Sequence, residues 1–593
     1  MTNPPENQQI PLHKMFIQIW GLLEAEDRRR AMGVLMLILV GTLLEILGVG
    51  LVIPVVTLLS QPESTSTSSE LKSLHKALGA PAHSVFMFWA LGGLLLVFVI
   101  KNAFIMLSTW CQVRFLFNYQ SKLSGKLMAV YLNRPYAFHL QHSTAELLQK
   151  INGELGSLIH GVLSPILWII SESFVVVGLL LLAFSVNPLC ALIAMCGLGA
   201  AFWAYYHFFK ARVEFWGCRT QEHSEGMYEQ MQCGLGGIKE VKIFGRERFF
   251  SDTFALHAQE SARYTSRHEF LVQSSRYVIE LLVITVLLGA IMLLVGVGGG
   301  AGAVVPTLAF FAVAAFRLMP SSQRLMGNAN SIRYGTRSLR LLRPDLIEIF
   351  DQQGVCSEEI SPFFFRHELK LRHVSFSYSK GHEEVLKELN LTIPHGVMIG
   401  FQGKSGAGKT TLVDLILGLL EPTKGEVVVD GVSIQKNLSG WQANIGYVPQ
   451  SIFLTDDTLR RNVAFGIEDQ KIDELRVHEV LCQAQLEEFV NSRSEKLETL
   501  VGERGIRLSG GQRQRIGIAR ALYHDPDILV LDEATASLDL DTEVEFMKII
   551  HSLKKKKTII LISHRLSAME GCDRKYQIQA GRLQPLGTPS AKS

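Results

Sequence analysis

A glycine-rich stretch with a lysine and a threonine follows a short apolar segment in the C-terminal half of the chain. Gly396–Phe401 has the composition of a buried strand, Gly403–Thr410 reads G-x-x-x-x-G-K-T, and the following TLVDLILGLL predicts a helix. In this context glycines let backbone N–H groups approach phosphates, and the helix N-terminus adds a positive dipole. The pattern predicts an ATP-binding P-loop formed by Gly403, Ser405, Gly406, Gly408, Lys409, Thr410 and Thr411. Lys409 would hold the β- and γ-phosphates, and Thr410 would ligate Mg²⁺.

A second apolar strand, Ile528–Leu531, ends in the acids Asp532 and Glu533. Asp532 is placed to hold Mg²⁺ through water, and Glu533 to polarise an attacking water. On their own, two acids at a strand end would more often be solvated surface residues. The P-loop is what favours the catalytic interpretation.

Between these two motifs, Leu508–Gln512 reads LSGGQ and opens a basic helix. Ser509, Gly510, Gly511 and Gln512 at a helix start form another anion site. One P-loop already supplies a phosphate cradle, so a second anion site suggests that ATP is clamped between two subunits.

Together these motifs resemble the ATP-binding cassette (ABC) domain over about residues 367–585, with LSGGQ as the family signature. The resemblance implies roles for four more residues in order along the chain. Tyr378 would stack on adenine, and Gln450 in GYVPQ would sense Mg²⁺ and contact a membrane domain. Asp539 matches the D-loop, where ASLD stands in place of the family's usual SALD, and His564 matches the γ-phosphate switch. One cassette per chain implies a homodimer with ATP and Mg²⁺ as cofactors.

The composition points to a membrane domain preceding the cassette. Of 593 residues, 48% are hydrophobic and only 19% charged, below the share usual in soluble proteins. The apolar runs lie before about residue 320. A net charge of +3 gives no indication of nucleic acid binding, and eight scattered cysteines without a C-x-x-C predict neither a zinc site nor a disulfide framework.

Six apolar segments are long enough to cross a bilayer, which needs about 20 residues per helix. They are Ala31–Leu59, Val85–Trp110, Leu158–Phe184, Pro188–Phe208, Tyr277–Val297 and Ala303–Met319. The long connections 111–157 and 209–276 are rich in Lys and Arg, which places them, both termini and the cassette in the cytoplasm. Residues 12–23 predict a helix on the membrane surface.

These elements predict an α-helical transmembrane domain followed by an α/β P-loop domain. The predicted boundaries are 1–342 for the transmembrane domain, 343–366 for a linker and 367–593 for the cassette. Six spans before one cassette resemble half of a type IV ABC exporter, which implies a multi-pass protein of the bacterial inner membrane. In that fold, Arg134–Glu154 and Gly234–Glu247 would hold the regions that couple the two domains.

Ionisable residues inside the spans indicate what is transported. Glu45, Lys101, Glu172, Glu280 and Arg317 lie where contact with lipid is costly. They could pair with one another to hold the bundle. Alternatively, Lys101, Arg276 and Arg317 could line a cationic cavity and contact a phosphate.

The membrane half also resembles bacterial lipid-linked oligosaccharide flippases of the PglK type. The likeness rests on LEILGVGLVIPVVTLLS (44–60), VFVIKNAF (97–104), SRYVIE (275–280) and AFRLMPSSQRL (315–325). It implies that basic cavity residues recognise a lipid-linked pyrophosphate glycan, and that a small outer helix, Leu71–Leu78, contacts the lipid tail. Alternatives are export of another lipid, a drug or a peptide, or a membrane regulator that transports nothing.

Overall fold

The computed structural model describes residues 21, 24–52, 54–56, 83–296, 301–351, 363–378, 383–535, 538 and 540–586. The chain divides into two compact units, each described below by itself. One is Met1–Arg134 with His142–Gly354, and the other is Pro135–Gln141 with Val355–Ser593. The predicted surface helix (apart from Gly21), the predicted outer helix and Asp539 lie outside the described residues.

The described part of the N-terminal half is helical. Its helices are α1 (Ala25–Gly50), α2 (His83–Asn133), α3 (Tyr136–Gln141), α4 (Thr144–Gln149), α5 (Leu155–Leu158), α6 (Ser164–Val186), α7 (Pro188–Gly236), α8 (Ile238–Phe244), α9 (Glu247–Gly296) and α10 (Ala301–Asp351). Of these, α3 belongs to the second unit. The described residues of the six predicted spans lie almost entirely on long helices or on the continuous helical run that ends in α6, whereas residues 53, 57–59 and 297 lie outside the described part. Among the described residues, three helical stretches are long and apolar enough to cross a membrane: Ala25–Val56, Ser84–Asn133 and Thr144–Val186.

Several of these helices are much longer than a bilayer is thick. α2 has 51 residues and therefore extends about 75 Å, against about 30 Å of hydrocarbon. The basic connections 111–157 and 209–276 are accordingly mostly helical continuations of the spans. α10 runs to Asp351, so the predicted linker, 343–366, begins inside a helix rather than after one. The helix continues through Pro344 to Asp351.

The third and fourth predicted spans are separated by a single extended residue. α6 ends at Val186, Asn187 has φ −150° and ψ 103°, and α7 begins at Pro188. Proline suits the first helical position because its missing N–H would have no partner there.

Two π-helical turns interrupt the helical run before α6. They span Lys150–Glu154 and Ile159–Leu163, on either side of the short α5. The second turn packs closely on α10, where a Cβ placed on Gly335 would lie 2.9 Å from Val162 Cγ2 and 3.2 Å from the carbonyl carbon of Gly161. A crossing this close requires glycine.

The cassette is an α/β domain with two sheets. Its strands are β1 (Glu368–Phe376), β2 (Leu386–Pro394), β3 (Met398–Gln402), β4 (Lys424–Val429), β5 (Val432–Ser433), β6 (Ile445–Val448), β7 (Ile528–Asp532), β8 (Thr558–Ile562), β9 (Arg574–Gln579) and β10 (Arg582–Pro585). Its helices are α11 (Lys409–Ile416), α12 (Leu438–Ala443), α13 (Leu459–Val463), α14 (Glu474–Gln483), α15 (Glu487–Asn491), α16 (Gly510–Leu522), α17 (Leu540–Leu553) and α18 (Leu566–Glu570). β1, β2, β4 and β5 form an antiparallel sheet in the order β2-β1-β4-β5.

The larger sheet has the order β10-β9-β3-β8-β7-β6. Its strands are parallel except for β10 at one edge. Every residue of β7 and β8 is buried, because helices cover both faces of a parallel sheet and its central strands are apolar along their whole length. The carboxyl ends of β3, β8, β7 and β6 consequently lie side by side.

Candidate functional site

The four neighbouring strands β3, β8, β7 and β6 each lead into one of the predicted motifs. Phe401 of β3 and Asp532 of β7 both pair with Ile562 of β8, so these strands end at the same level. The P-loop follows β3, His564 follows β8, Asp532 and Glu533 end β7, and Gln450 follows β6. Residues far apart in sequence therefore meet at one edge of the sheet, where open α/β sheets bind their ligands.

Glu533 is the residue on which this site converges. Its carboxylate lies 3.4 Å from Lys409 Nζ, accepts a hydrogen bond of 3.1 Å from Gln450 Nε2, and lies 3.9 Å from His564 Nδ1. Its backbone has φ +45°, an uncommon conformation for a residue other than glycine. This turn directs the side chain away from the strand and towards the P-loop.

The P-loop has the backbone that a phosphate cradle needs. Gly406 and Gly408 have φ +79° and +99°, values that other residues rarely adopt. Nothing lies within 4 Å of a Cβ built on Gly406, so a ligand can approach the backbone there. Lys409 donates hydrogen bonds to the carbonyl oxygens of Gly403 (2.8 Å) and Lys404 (3.3 Å).

The remaining P-loop residues fit a magnesium nucleotide. Thr410 is exposed at the start of α11, and Ser405 is exposed in the loop. Tyr378, at 49% exposure, hydrogen-bonds through its hydroxyl to Thr411 Oγ1 at 2.9 Å. An exposed hydroxyl and a nearby carboxylate suit the hard oxygen coordination of Mg²⁺, so Thr410 and Asp532 are able to hold the ion, with Gln450 close to Glu533.

Two buried acids lie beside this edge of the sheet, and the sequence analysis identified only one of them. The pKa of Asp532 is raised, mainly by burial and secondly by the charge of the neighbouring Glu533. A hydrogen bond that Tyr447 donates to its carboxylate acts in the opposite direction. Burial, followed by repulsion from Asp532, raises the pKa of Asp414 to about 6. An acid inside the apolar TLVDLILGLL was a signal that could have identified Asp414. Tyr447, like Asp414, was not predicted.

The signature residues form a separate structure at the start of α16. Ser509 Oγ accepts a hydrogen bond from the Gln512 backbone at 3.2 Å, while Gln512 Oε1 accepts one from the Ser509 backbone at 3.0 Å. This capping box satisfies two donors at the helix start. A Cβ on Gly511 would lie 2.7 Å from Thr542 Cγ2. Within the described ranges, no hydrogen bond or ion pair joins the signature to the P-loop.

A contact that the sequence did not predict links the signature helix to the loop after β6. Gln514 of α16 is buried and donates through Nε2 to the carbonyl oxygen of Gln450 at 3.3 Å. The backbone of Gln450 is therefore held by the helix that the signature opens. A displacement of this helix would therefore also displace Gln450, whose side-chain amide contacts Glu533.

In the membrane unit, five ionisable side chains from four helices form a group that we call the membrane charge cluster: Glu45, Lys101, Glu172, Arg317 and Arg324. Arg317 donates to both oxygens of Glu45 at 2.5 and 2.6 Å. Arg324 Nε lies 2.7 Å from Glu172, and Arg317 lies 3.8 Å from the other oxygen of that carboxylate.

The sequence left two alternatives for these residues, mutual pairing or a cationic cavity. The contacts of Arg317 and Arg324 with Glu45 and Glu172 show the mutual pairing. Lys101 is 8% exposed, and its ammonium lies 4.3 Å from the centre of the Phe98 ring. Glu172 Oε2 is buried without a hydrogen-bond partner. Among the described residues of this cluster three cations face two carboxylates, which leaves an excess of positive charge. Arg276, the third predicted phosphate contact, is exposed on α9, and no contact in the described part of the chain brings it to this cluster.

Comparison with known proteins matches both halves of the chain. A family model described as "ABC transporter" matches residues 386–536, and one described as "ABC transporter transmembrane region" matches residues 32–318. An ATP-dependent lipid A-core flippase of Nitrosococcus oceani is 31% identical over 464 residues, covering 77% of this chain and 76% of the relative.

Two further relatives and one solved structure are also similar to this chain. The lipid A-core flippase of Methylococcus capsulatus is 30% identical over 77% of this chain and 75% of its own length. A multidrug resistance ABC transporter of Lactococcus lactis is 40% identical, over 37% of each chain. A bacterial Atm1-family ABC exporter with ATP bound superimposes with a TM-score of 0.72 at 23% identity, covering 94% of both chains. This last similarity concerns the fold.

Proposed function

The chain belongs to the ABC transporter family, as a half-transporter of the exporter type that couples ATP hydrolysis to transport, and on that premise we propose that it moves an anionic lipid across the membrane. We propose further that the lipid is a lipid-linked oligosaccharide, carried from the inner to the outer leaflet by a homodimer. The observation that supports an anionic substrate is the membrane charge cluster, where Lys101, Arg317 and Arg324 outnumber two carboxylates.

In the proposed hydrolysis each site residue has a distinct role. Glu533 accepts a proton from the attacking water, and Gln450 and His564 orient that water and the γ-phosphate. Lys409 leaves its loop carbonyls and Glu533 to neutralise the phosphates. Thr410 and Asp532 would hold Mg²⁺, which would supply positive charge next to the transferred phosphoryl group.

The separation of the signature from the P-loop supports a dimer. Ser509 is exposed and Gly510, Gly511 and Gln512 are partly exposed, at a helix start whose dipole favours an anion. We propose that each signature closes on the P-loop of a second copy, so that two ATP molecules lie between two cassettes. We also propose that both termini and the cassette lie on the cytoplasmic side of the membrane, because the long basic connections 111–157 and 209–276 favour that side.

The proposal is tested by ATPase activity in lipid vesicles with and without a polyprenyl-pyrophosphate glycan. We expect the glycan to stimulate hydrolysis, and Glu533→Gln to lower the rate by about 10²- to 10⁴-fold, the usual contribution of a general base. Arg317→Gln should weaken the stimulation. Its matched control is Arg340→Gln on the same helix, because Arg340 is half exposed and pairs only with the surface acid Glu214 at 3.4 Å within the described residues.

A second candidate substrate follows from the relatives, two of which are named lipid A-core flippases. Both substrate types carry phosphate on a lipid. Stimulation by a lipid A-core preparation and not by the glycan would contradict the proposal of a lipid-linked oligosaccharide. It would still support the broader proposal of an anionic lipid. A basal rate unaffected by either would contradict an anionic lipid altogether.

A further inference from the structure

A groove of 470 Å³ runs between α1 and α2, away from the membrane charge cluster, and we call it the α1–α2 groove. Its lining residues lie between Asp27 and Leu37 on α1 and between Trp110 and Lys122 on α2. None of them belongs to the cluster or to the nucleotide site. The proposed transport mechanism therefore leaves this groove without a role.

The groove is polar at one end and apolar at the other. Asp27 of α1 pairs with Lys122 of α2 at 2.7 Å and marks the polar end, while Leu37 and Trp110 lie at the apolar end. Asp27 and Leu37 are ten residues apart, which is about 15 Å along a helix. The change from polar to apolar occurs at Arg30 and Ala31 on α1, where the predicted membrane span begins. The groove therefore crosses the boundary between lipid headgroups and hydrocarbon, on the side of the membrane that we propose to be cytoplasmic.

The cations at the polar end differ in what they bind. Lys122 is bonded by Glu24 and Asp27, both at 2.7 Å, and Arg30 pairs with Glu26 at 2.6 Å.

Arg114 instead stacks on the ring of Trp110, with its guanidinium carbon 5.1 Å from the ring centre. Among the described residues Arg114 enters no ion pair, so its five N–H donors are available to an anion from outside the protein. Tryptophan with arginine is also the combination that anchors proteins at headgroup level.

We propose that the α1–α2 groove binds an anionic phospholipid of the cytoplasmic leaflet. Its phosphate is held by Arg114 with Arg30 beside it, and its acyl chain lies along Gly33, Val34 and Leu37. Charge and shape together select this occupant, because Arg114 lies at headgroup level and the apolar surface above it is continuous with the hydrocarbon. The site is separate from the substrate path, so it is independent of which lipid is transported.

Cys111 lines the groove and serves as a probe. In a variant that keeps Cys111 as its only cysteine, the rate of maleimide labelling is measured in nanodiscs of phosphatidylcholine and in nanodiscs containing phosphatidylglycerol as well. We expect phosphatidylglycerol to slow labelling by about fivefold, the factor that corresponds to one basic residue near an anionic surface. Arg114→Gln should abolish this difference. The variant and the parent protein are compared in nanodiscs of the same lipid charge, so a general effect of the anionic bilayer on labelling would persist in the variant.

A second pair of variants tests the groove without removing a charge. A Cβ on Gly33 meets nothing within 4 Å, and the same holds for Gly93 on α2, which does not line the groove. Gly33→Leu should fill the groove and make labelling slow in both kinds of nanodisc, while Gly93→Leu should keep the phosphatidylglycerol effect.

Three outcomes would overturn the proposal. Equal labelling of the parent protein in both nanodiscs would show that no anionic lipid binds there. Protection by inorganic phosphate in phosphatidylcholine alone would indicate a simple anion site. Protection in both nanodiscs that disappears when residues 1–20 are removed would show that the chain's own N-terminal segment occupies the groove.

Discussion

The pair between Arg317 and Glu45 allows the structural and functional roles of the membrane charge cluster to be separated. Glu45 is 8% exposed and accepts two hydrogen bonds from the guanidinium of Arg317. Removing Arg317 leaves Glu45 buried and charged, and removing Glu45 leaves the partly buried Arg317 with only the more distant Glu172. Breaking a buried ion pair in this way costs about 3–5 kcal/mol, and two charge-assisted hydrogen bonds at about 1.5–3 kcal/mol each give a similar figure.

A double-mutant cycle measures this coupling. We expect Arg317→Gln and Glu45→Gln each to lower thermal stability in nanodiscs. The loss of stability in the double variant should be smaller than the sum of the two single losses by at least about 2 kcal/mol. The same four proteins are then assayed for stimulation of ATPase activity by the glycan. If Arg317 contacts substrate phosphate, the double variant recovers stability but not stimulation.

Two results would refute this reasoning. Additive single effects, within about 0.5 kcal/mol, would mean that the two side chains are not coupled in the folded protein. Recovery of both stability and stimulation in the double variant would mean that Arg317 serves only to balance Glu45. In that case the substrate site lies elsewhere, and Arg276 becomes the first predicted contact to examine.

The remaining predictions concern stability. Burial raises the pKa of Asp414 from 3.8 to about 6, so the folded state holds a proton that the unfolded state loses, and stability falls as the pH rises from about 4 to about 6. Asp414→Asn should therefore stabilise the nucleotide-free protein by up to about 3 kcal/mol at pH 7.5 and by less at pH 5, and equal gains at both pH values would contradict a shifted pKa. Gly335→Ala should cost about 1–3 kcal/mol, because its Cβ would be only 3.2 Å from the Gly161 backbone. Gly93→Ala, with open space, should not lower the melting temperature and should raise it slightly, because Ala favours a helix over Gly.

The chemistry of the nucleotide site could be predicted because each motif is local in sequence. Lys409, Glu533 and His564 were each identified by a short pattern at the end of a strand, and the parallel sheet brings them together. The fold class and the family followed from the same motifs and from the apolar runs, and the comparisons confirm both. Hydrolysis coupled to transport is likewise confirmed at the level of the family.

What the sequence could not predict depends on distant partners. Glu45 and Arg317 are 272 residues apart, and nothing in either local pattern distinguishes a mutual pair from two residues lining a cavity. Asp414 and Tyr447 were missed because their proximity to Asp532 arises only when the sheet forms. The course of α10 beyond residue 342 was not predicted, because hydropathy falls where a helix leaves the bilayer, while the helix itself continues to Asp351.

The two π-helical turns before α6 bear on how this helix tolerates change in length. A π turn holds one residue more than an α turn, so deleting one residue from Lys150–Glu154 or Ile159–Leu163 can leave an unbroken α-helix. An α turn completes about the same rotation as a π turn with one residue fewer, so a deletion in Lys150–Glu154 would leave the helix on either side facing the same direction. Glu172 and Gly161 would then both still face α10, where Arg324 and Gly335 receive them. The same deletion between Gly161 and Glu172 in the regular part of α6 would rotate them against each other by about 100° and break either the charged contact or the close crossing.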